Sequence, residues 1–214
     1  MSFKLYYARQ SCAMSVHLAL EEFSFDYDAI LIKLRSKENL TNWFKEINPA
    51  KRVPVLVTPR GTITETPAIL GYIHLLINNK RPSSFDEFTF CKLSSLNCWL
   101  SSTMHVAHAH SIRGDRWASS ESSLKEMAFK TRQNMEDCCL FIENYVLNNS
   151  YFSVSNYSVS NSYMFVMTYY AIVDGVDITK YPKLFEHWNF VLERASTKKI
   201  LDLHRIDLTT LGLR

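Results

Sequence analysis

The chain has few of the residues that build nucleotide sites: 5 glycines and 6 prolines occur among its 214 residues. It contains no glycine-rich phosphate loop and no dinucleotide-binding fingerprint, which argues against either kind of nucleotide site. The sequence also lacks any run approaching the ~20 apolar residues of a membrane span, and its first residues do not follow the pattern of a signal peptide. We therefore predict a cytoplasmic protein with no membrane partner.

The charge of the chain is small and evenly spread. Its formal net charge is +3, from 24 basic and 21 acidic residues, and the basic residues do not cluster, so we expect no nucleic-acid partner. The number of cysteines is odd and no C-x-x-C spacing occurs, which favours reduced thiols and no metal site. The cysteines are Cys12, Cys91, Cys98, Cys138 and Cys139.

Hydrophobic patterning divides the chain into two parts. With 47% hydrophobic residues, it can bury a substantial core. Residues 1–79 alternate short strand and helix patterns in the order β-α-β-α-β-β-α, which is typical of a compact α/β domain. The strands are predicted at residues 3–7, 25–34, 53–58 and 62–64, and the helices at residues 12–22, 40–46 and 67–76.

A polar, proline-containing stretch at residues 80–84 is predicted to be a linker. Beyond it, residues 85–214 carry long helical periods and no strand pattern, which indicates an all-α domain. A Ser/Asn-rich stretch at residues 153–162 is interpreted as a loop. The helices are predicted at residues 88–110, 122–147, 160–174 and 183–195.

Two neighbouring segments of the first domain predict a site for a small zwitterionic peptide. Pro54 cannot donate to a strand ladder, and a cis bond before it would turn the main chain of Val53 outward, where it can pair with a ligand. Thr66 fits the N-cap of the next helix and Pro67 its first position. Such a helix start suits a carboxylate, and Glu65 beside it suits an ammonium group. The simpler alternative is a turn proline followed by a well-capped helix.

Five separate segments carry motifs that together resemble those of one enzyme family. The motifs are K-L-Y-Y at residues 4–7, N-P-x-x-x-V-P-x-L at 48–56, I-T-E-T-P-A-I at 63–69, K-Y-P at 180–182, and a His/Arg-rich segment at 105–117. Together they resemble the motifs of the cytosolic glutathione transferases and, within that family, those of a bacterial, beta-like branch. The resemblance covers nearly the whole chain. It implies the glutathione transferase fold: an α/β thioredoxin-like N-terminal domain and an all-α C-terminal helical bundle.

The resemblance implies glutathione as co-substrate and assigns its binding residues. Glu65 is expected to hold the γ-glutamyl ammonium group and Thr66 the neighbouring carboxylate. The main chain of Val53, next to Pro54, is expected to pair with the cysteinyl unit. The glycyl carboxylate requires a cation, for which Arg35 is the first candidate and Arg52 the second; the alternative is that both are solvated surface charges.

Two adjacent residues compete for the role of activating the glutathione thiol. Cys12 stands at the predicted start of the first helix, where free N–H groups and the helix dipole lower a thiol pKa. In beta-type relatives a cysteine at the matching place lies beside the glutathione sulfur and forms a mixed disulfide with it. Ser11 is the rival, because a hydroxyl is the better hydrogen-bond donor. A buried structural cysteine is the further alternative for Cys12.

The second substrate is expected to be a small hydrophobic electrophile. His105 matches a histidine that lines the active site of beta-type relatives, and His108 shares its helix face. Arg113 and Trp117 are candidates for the same pocket, and Tyr6, mainly a packing residue, for its mouth. Surface or domain-interface positions are the alternative for the histidines, and no third ligand completes a metal site.

Two positions depart from the family pattern. Asn161 stands where the family has an aspartate that completes a capping box, which we expect to cost a few tenths to about 1 kcal/mol of helix stability. Lys51 stands where bacterial relatives often carry glycine, so the conformation of that loop is left open.

The leading hypothesis is a homodimeric glutathione transferase with a role in detoxification. It would either add the glutathione thiolate to an electrophile or perform thiol–disulfide exchange; the sequence does not separate these reactions. One alternative keeps the fold without turnover, as a glutathione-binding regulatory or partner-docking protein. Another is a glutathione-dependent isomerase or dehalogenase.

Overall fold

The computed structural model describes residues 2–79, 86–152 and 157–211. Its chain divides into two compact units, one formed by Met1–Phe90 with Glu193–Arg214 and the other by Cys91–Leu192. The predicted linker at residues 80–84 lies outside the described residues. Within the described part, no helix combines the length and apolar character needed to cross a membrane.

The first unit is built on a four-stranded sheet in the order β2-β1-β3-β4. The strand β1 pairs in parallel with β2 and antiparallel with β3, which pairs antiparallel with β4. This is the thioredoxin-like arrangement that the sequence predicts. The strands are β1 (Phe3–Tyr7), β2 (Tyr27–Leu31), β3 (Val55–Thr58) and β4 (Gly61–Thr64).

Strand β2 is shorter than the ten-residue pattern predicts. It ends at Leu31, and the N–H of Lys33 donates to the carboxylate of Glu38 at 2.7 Å. That hydrogen bond draws the chain out of the sheet and into the 3-10 turn Leu34–Ser36.

Four helices belong to the first unit: α1 (Ala13–Glu22), α2 (Asn42–Ile47), α3 (Thr66–Asn79) and α9 (Ala195–His204). The first eight residues of α1 are buried, and this helix packs against α3 and α9. Helix α9 was not predicted, and the sequence placed residues 193–214 in the second domain. They cluster with the first unit instead, because α9 supplies His204 as the partner of the buried His17 on α1.

The second unit is helical throughout its described residues. The predicted helices at 88–110 and 122–147 are confirmed, each with one π-helical turn, at Leu100–Met104 and Ile142–Val146. Every residue of Val159–Ala171 is buried. The ring of Phe165 in this stretch stacks on Trp188 at 4.3 Å. The helices are α4 (Glu87–Trp99), whose first turn belongs to the first unit, α5 (His105–Arg113), α6 (Glu121–Phe141), α7 (Val159–Val173) and α8 (Pro182–Leu192).

The start of α7 shows how Asn161 replaces the aspartate of the family pattern. Its side-chain oxygen accepts the N–H of Ser158 at 2.7 Å, so the reciprocal half of the capping box is kept. Its Nδ2 lies 3.2 Å from Nε2 of the fully buried His187. Burial lowers the pKa of His187 to about 3, so the ring is neutral and accepts this bond. An amide can serve both partners, whereas a carboxylate has no donor for the histidine.

Candidate glutathione site

Cys12 occupies the N-cap position of α1, in the segment that connects β1 to this helix. Its thiol is reduced and half-buried. Sγ lies 3.8 Å from the carbonyl oxygen of Val53, which joins the start of α1 to the segment before β3. No acidic residue occupies the first turn of α1, so no carboxylate in that turn opposes the effect of the helix dipole on a thiolate at this position.

The hydroxyl of Ser11 is engaged within its own turn. Its Oγ donates to the carbonyl oxygen of Ala8 at 2.8 Å and accepts the N–H of Ala13 at 3.3 Å. Because its one proton is directed at the main chain, the hydroxyl serves to hold the turn. Activation of a glutathione thiol by Ser11 stays a prediction.

Val53 forms the main-chain edge of the candidate site. The Val53–Pro54 bond is cis, and β3 begins only at Val55, so Val53 precedes the residues that pair with β1 and β4. Its side chain packs against a small core cluster that Tyr6 also covers. The ring of Tyr6 contacts Trp43 and Phe44, with ring centroids 6.4 and 6.2 Å away, so the structure gives Tyr6 a packing role.

Glu65 and Thr66 mark the start of α3. Glu65 is exposed and adopts a left-handed backbone with φ of 68°, which costs a non-glycine residue about 1 kcal/mol. Its carbonyl oxygen accepts the N–H of Ile69 at 3.0 Å. Glu65 is therefore the N-cap and Thr66 the first helical residue, a correction of one position to the predicted cap. Strained backbone of this kind is often retained at ligand sites.

The two arginine candidates are both exposed. Arg52 directly precedes Val53, and its carbonyl oxygen accepts Nδ2 of Asn48 at 2.8 Å. Arg35 lies in the 3-10 turn after β2. The neighbouring Lys51 is left-handed with φ of 58°, which accounts for the preference for glycine there in the family pattern.

The pocket candidates of the second unit separate into two kinds. Nη2 of Arg113 lies 3.2 Å from Nε2 of His105, and both residues are half-buried, so these two are brought together. His108 is buried instead: its Nδ1 lies 2.8 Å from the carboxylate of Asp174, and its ring stacks on Tyr170 at 4.1 Å. This buried hydrogen bond favours a structural role for His108.

Trp117 is 48% exposed and meets the ring of His110 edge-on at 4.7 Å. The partner of His108, Asp174, was not identified from the sequence, since nothing in the spacing links residues on different helices. Among the residues described, no group of three His, Cys, Asp or Glu side chains is placed to hold a metal ion.

A thioredoxin-like sheet with a cis-proline before its third strand, joined to a helical unit, defines the fold class of the glutathione transferases. Comparisons with known proteins agree. Residues 1–74 match the family model described as the glutathione S-transferase N-terminal domain. A zeta-class glutathione S-transferase of Euphorbia esula is 39% identical over 71 residues, which are 33% of this chain and 32% of that protein. The chain thus matches about a third of the length of this curated relative.

Two solved structures match over nearly the whole chain. A glutathione transferase homologue from Sulfitobacter, with bound glutathione, has a TM-score of 0.87 and 30% identity, covering 94% of this chain and 98% of that one. The beta-class enzyme of Sphingomonas chungbukensis has a TM-score of 0.77 and 25% identity, covering 95% and 100%. The chain belongs to the cytosolic glutathione S-transferase family.

Proposed function

We propose that this protein is a glutathione transferase that holds the thiol of glutathione beside Cys12. The observation that carries the proposal is the 3.8 Å approach of Cys12 Sγ to the carbonyl oxygen of Val53. It places a cysteine at a helix start next to the main-chain edge that would pair with the cysteinyl unit of the tripeptide. A relative of 30% identity with bound glutathione supports the choice of ligand.

The remaining groups of the tripeptide find partners around this point. Free N–H groups at the start of α3 and the Thr66 hydroxyl suit the γ-glutamyl carboxylate, while the exposed carboxylate of Glu65 suits the ammonium group. Arg35 and Arg52, both exposed, are the candidate cations for the glycyl carboxylate.

Cys12 supports thiol–disulfide exchange better than rapid conjugation. An S–H group is a weak donor to a glutathione thiolate, so addition of glutathione to an electrophile would be slow. In exchange, the Cys12 thiolate attacks the glutathione sulfur of a mixed disulfide R–S–S–G and expels RS⁻. A second glutathione thiolate then attacks the protein–glutathione disulfide, which releases oxidised glutathione and restores the Cys12 thiolate.

The second substrate in this proposal is a small hydrophobic electrophile or a disulfide. His105 and Arg113, which lie together and are half-buried, are the candidate residues for its pocket. The proposal includes a homodimeric assembly and a role in detoxification. All five cysteines are reduced in the structure, which suits a reducing, cytoplasmic compartment.

The test begins with binding to immobilised glutathione and a thermal shift at millimolar glutathione. Chlorodinitrobenzene conjugation and disulfide reduction are then measured for the wild type, Cys12→Ser and Cys12→Ala, with the exposed Cys91→Ser as control. We expect disulfide reduction to be lost in both Cys12 variants and kept in the control. Binding without activity in either assay would favour the non-catalytic alternative, and absence of binding would contradict the proposal.

A further inference from the structure

The two residues that precede Ser11 and Cys12 are hydrogen-bonded to residues at the C-terminal end of α9. Nε of Arg9 lies 3.4 Å from the carbonyl oxygen of Leu203. The N–H of Gln10 donates to Nδ1 of His204 at 3.1 Å, and its side-chain amide donates to the carbonyl oxygen of Arg205 at 3.3 Å. Three consecutive residues at the end of α9 thus bind the two residues that precede Ser11 and Cys12.

Gln10 needs this support because of its backbone conformation. Its backbone is left-handed, with φ of 57°. This conformation costs a non-glycine residue about 1 kcal/mol and persists only where surrounding contacts offset that cost. Its main-chain bond to His204 supplies that constraint two residues before Cys12. The turn that presents the thiol is therefore set by a contact with residues about 194 positions away in the sequence.

The protonation of His204 follows from its two partners. Because Nδ1 accepts the N–H of Gln10, the ring proton sits on Nε2, which donates to Nδ1 of His17 at 3.2 Å. Both rings are buried, at 0% and 1% exposure. The ring of Tyr7 contacts each of them, at 5.2 and 4.9 Å. Burial lowers the pKa of both histidines, assisted by Arg9 for His204 and by Lys199 for His17.

The contact between α1 and α9 is reinforced by ion pairs at its other end. Lys199 Nζ lies 2.6 Å from the carboxylate of Glu21, and Arg194 pairs with Glu22, which also accepts the hydroxyl of Ser196. Helix α9 is therefore anchored independently of His204, so a change at His204 can alter the Gln10 contact without releasing the helix.

We propose that His204 is a positioning residue for Cys12: its Nδ1 fixes the Gln10 turn and thereby the place of the thiol at the start of α1. The inference deepens the proposed function, on which the role of Cys12 depends. The hydrogen bond between Gln10 and His204 does not depend on whether Cys12 acts on glutathione. The principal test measures Cys12 without glutathione and is independent of the proposed function as well.

Two nearly isosteric substitutions separate the two bonds of His204. In His204→Asn the side-chain oxygen replaces Nδ1 and can still accept the N–H of Gln10, while the bond to His17 is lost. In His204→Gln the amide replaces Nε2 and can still donate to His17, while the bond to Gln10 is lost. Ser196→Ala, which loosens the anchored end of α9, is the matched control.

The principal readout is the pH profile of Cys12 alkylation by iodoacetamide, followed on the Cys12 peptide by mass spectrometry. We expect His204→Gln to slow alkylation at neutral pH about tenfold, the factor that corresponds to one net hydrogen bond, and to shift the profile to higher pH. His204→Asn should restore the rate to within about threefold, and Ser196→Ala should leave it unchanged. Equal rates in His204→Gln and the wild type, or equal losses in both His204 variants, would overturn the proposal.

Two further measurements keep the inference separate from protein stability and from the proposed function. If His204→Gln does not fold, hydrogen exchange of the Gln10 amide in the wild type decides the matter: protection is expected, and exchange at the rate of an unstructured peptide would refute the contact. In disulfide reduction, the positioning role predicts a lower kcat with an unchanged KM for glutathione. If neither the wild type nor any variant binds glutathione, the proposed function is contradicted. The alkylation rates still test the role of His204 in that case, because they do not depend on glutathione.

Discussion

Restoring the family's aspartate at position 161 should destabilise this protein, although capping rules alone predict the opposite. A carboxylate at the start of α7 gains about 0.3–1 kcal/mol from the helix dipole. Asn161→Asp, however, removes the amide that donates to Nε2 of His187 at 3.2 Å. Both side chains are buried, at 2% and 0% exposure, so the new carboxylate loses its hydration. The other tautomer of His187 can donate to it from Nε2–H, which restores only part of that free energy. We expect a net loss of about 1–2 kcal/mol at pH 8.

The pH dependence of Asn161→Asp provides a sharper signature than its magnitude. In the wild type, burial lowers the pKa of His187 to about 3, below the value of about 6.5 in an unfolded chain. The unfolded chain then binds more protons between these values, so His187 makes stability rise with pH across that range. In the variant, the new carboxylate beside the ring favours the protonated histidine and raises its folded pKa. Because that pKa then lies closer to the unfolded value, His187 costs the variant less stability at acidic pH than it costs the wild type.

Urea unfolding at pH 5.5 and pH 8 measures this difference, with Asn161→Ala as the control that removes both hydrogen bonds without adding charge. The deficit of Asn161→Asp relative to the wild type should be larger at pH 8 than at pH 5.5, whereas Asn161→Ala should show no such increase. Asn161→Asp as stable as the wild type at pH 8 would contradict the burial of this side chain, and Asn161→Ala as stable as the wild type would contradict its hydrogen bonds.

Three other changes test separate features. Lys51→Gly should relieve the left-handed backbone at φ of 58° and raise the unfolding free energy by up to about 1 kcal/mol; a loss of stability in urea unfolding would contradict this. Asp174→Ala should cost about 1–3 kcal/mol, because it leaves the buried ring of His108 without its hydrogen-bond partner at 2.8 Å, and an unchanged free energy of unfolding would contradict this contact. The pKa of His17 is lowered to about 4 and that of His204 to about 3. Because the unfolded rings titrate near 6.5, stability should fall as pH drops from 6.5 towards 4, and an unchanged urea midpoint at pH 5 would contradict the burial of the pair.

Local pattern was enough to predict most of the first unit. The short β-like run at residues 3–7 predicts β1, and its bounds are confirmed at Phe3–Tyr7. The rest of the strand and helix order is also confirmed, with ends that move by a few residues. The largest shift, at β2, has a cause that pattern does not encode, since a side chain beyond the strand takes the N–H of Lys33.

Contacts between distant segments were beyond the reach of the sequence. Helix α9 contacts α1 through residues far away in the sequence, such as His204 and His17, which lie 187 positions apart. A lone histidine in a helix pattern does not reveal which residue will face it. The left-handed backbone of Gln10 could not be predicted either. The position holds no glycine that would mark such a conformation, and the contact that stabilises it comes from α9.

The candidate site was predicted in part by physical reasoning and in part by resemblance. Helix-start chemistry drew attention to Cys12, and the missing N–H of Pro54 to the segment before β3. The family motif supplied the expectation that these two belong to one site, and the 3.8 Å approach of Sγ to Val53 supports it. Helical spacing grouped His105 with His108, but His108 is hydrogen-bonded to Asp174 and buried.

A crystal structure of the wild-type protein with glutathione would test the role of Cys12 most directly, by the position of the ligand sulfur. We predict that this sulfur contacts Cys12 Sγ and that the main chain of Val53 bonds to the cysteinyl unit of the tripeptide. A ligand sulfur directed at the Ser11 hydroxyl instead, or a tripeptide bound away from Val53, would contradict that role.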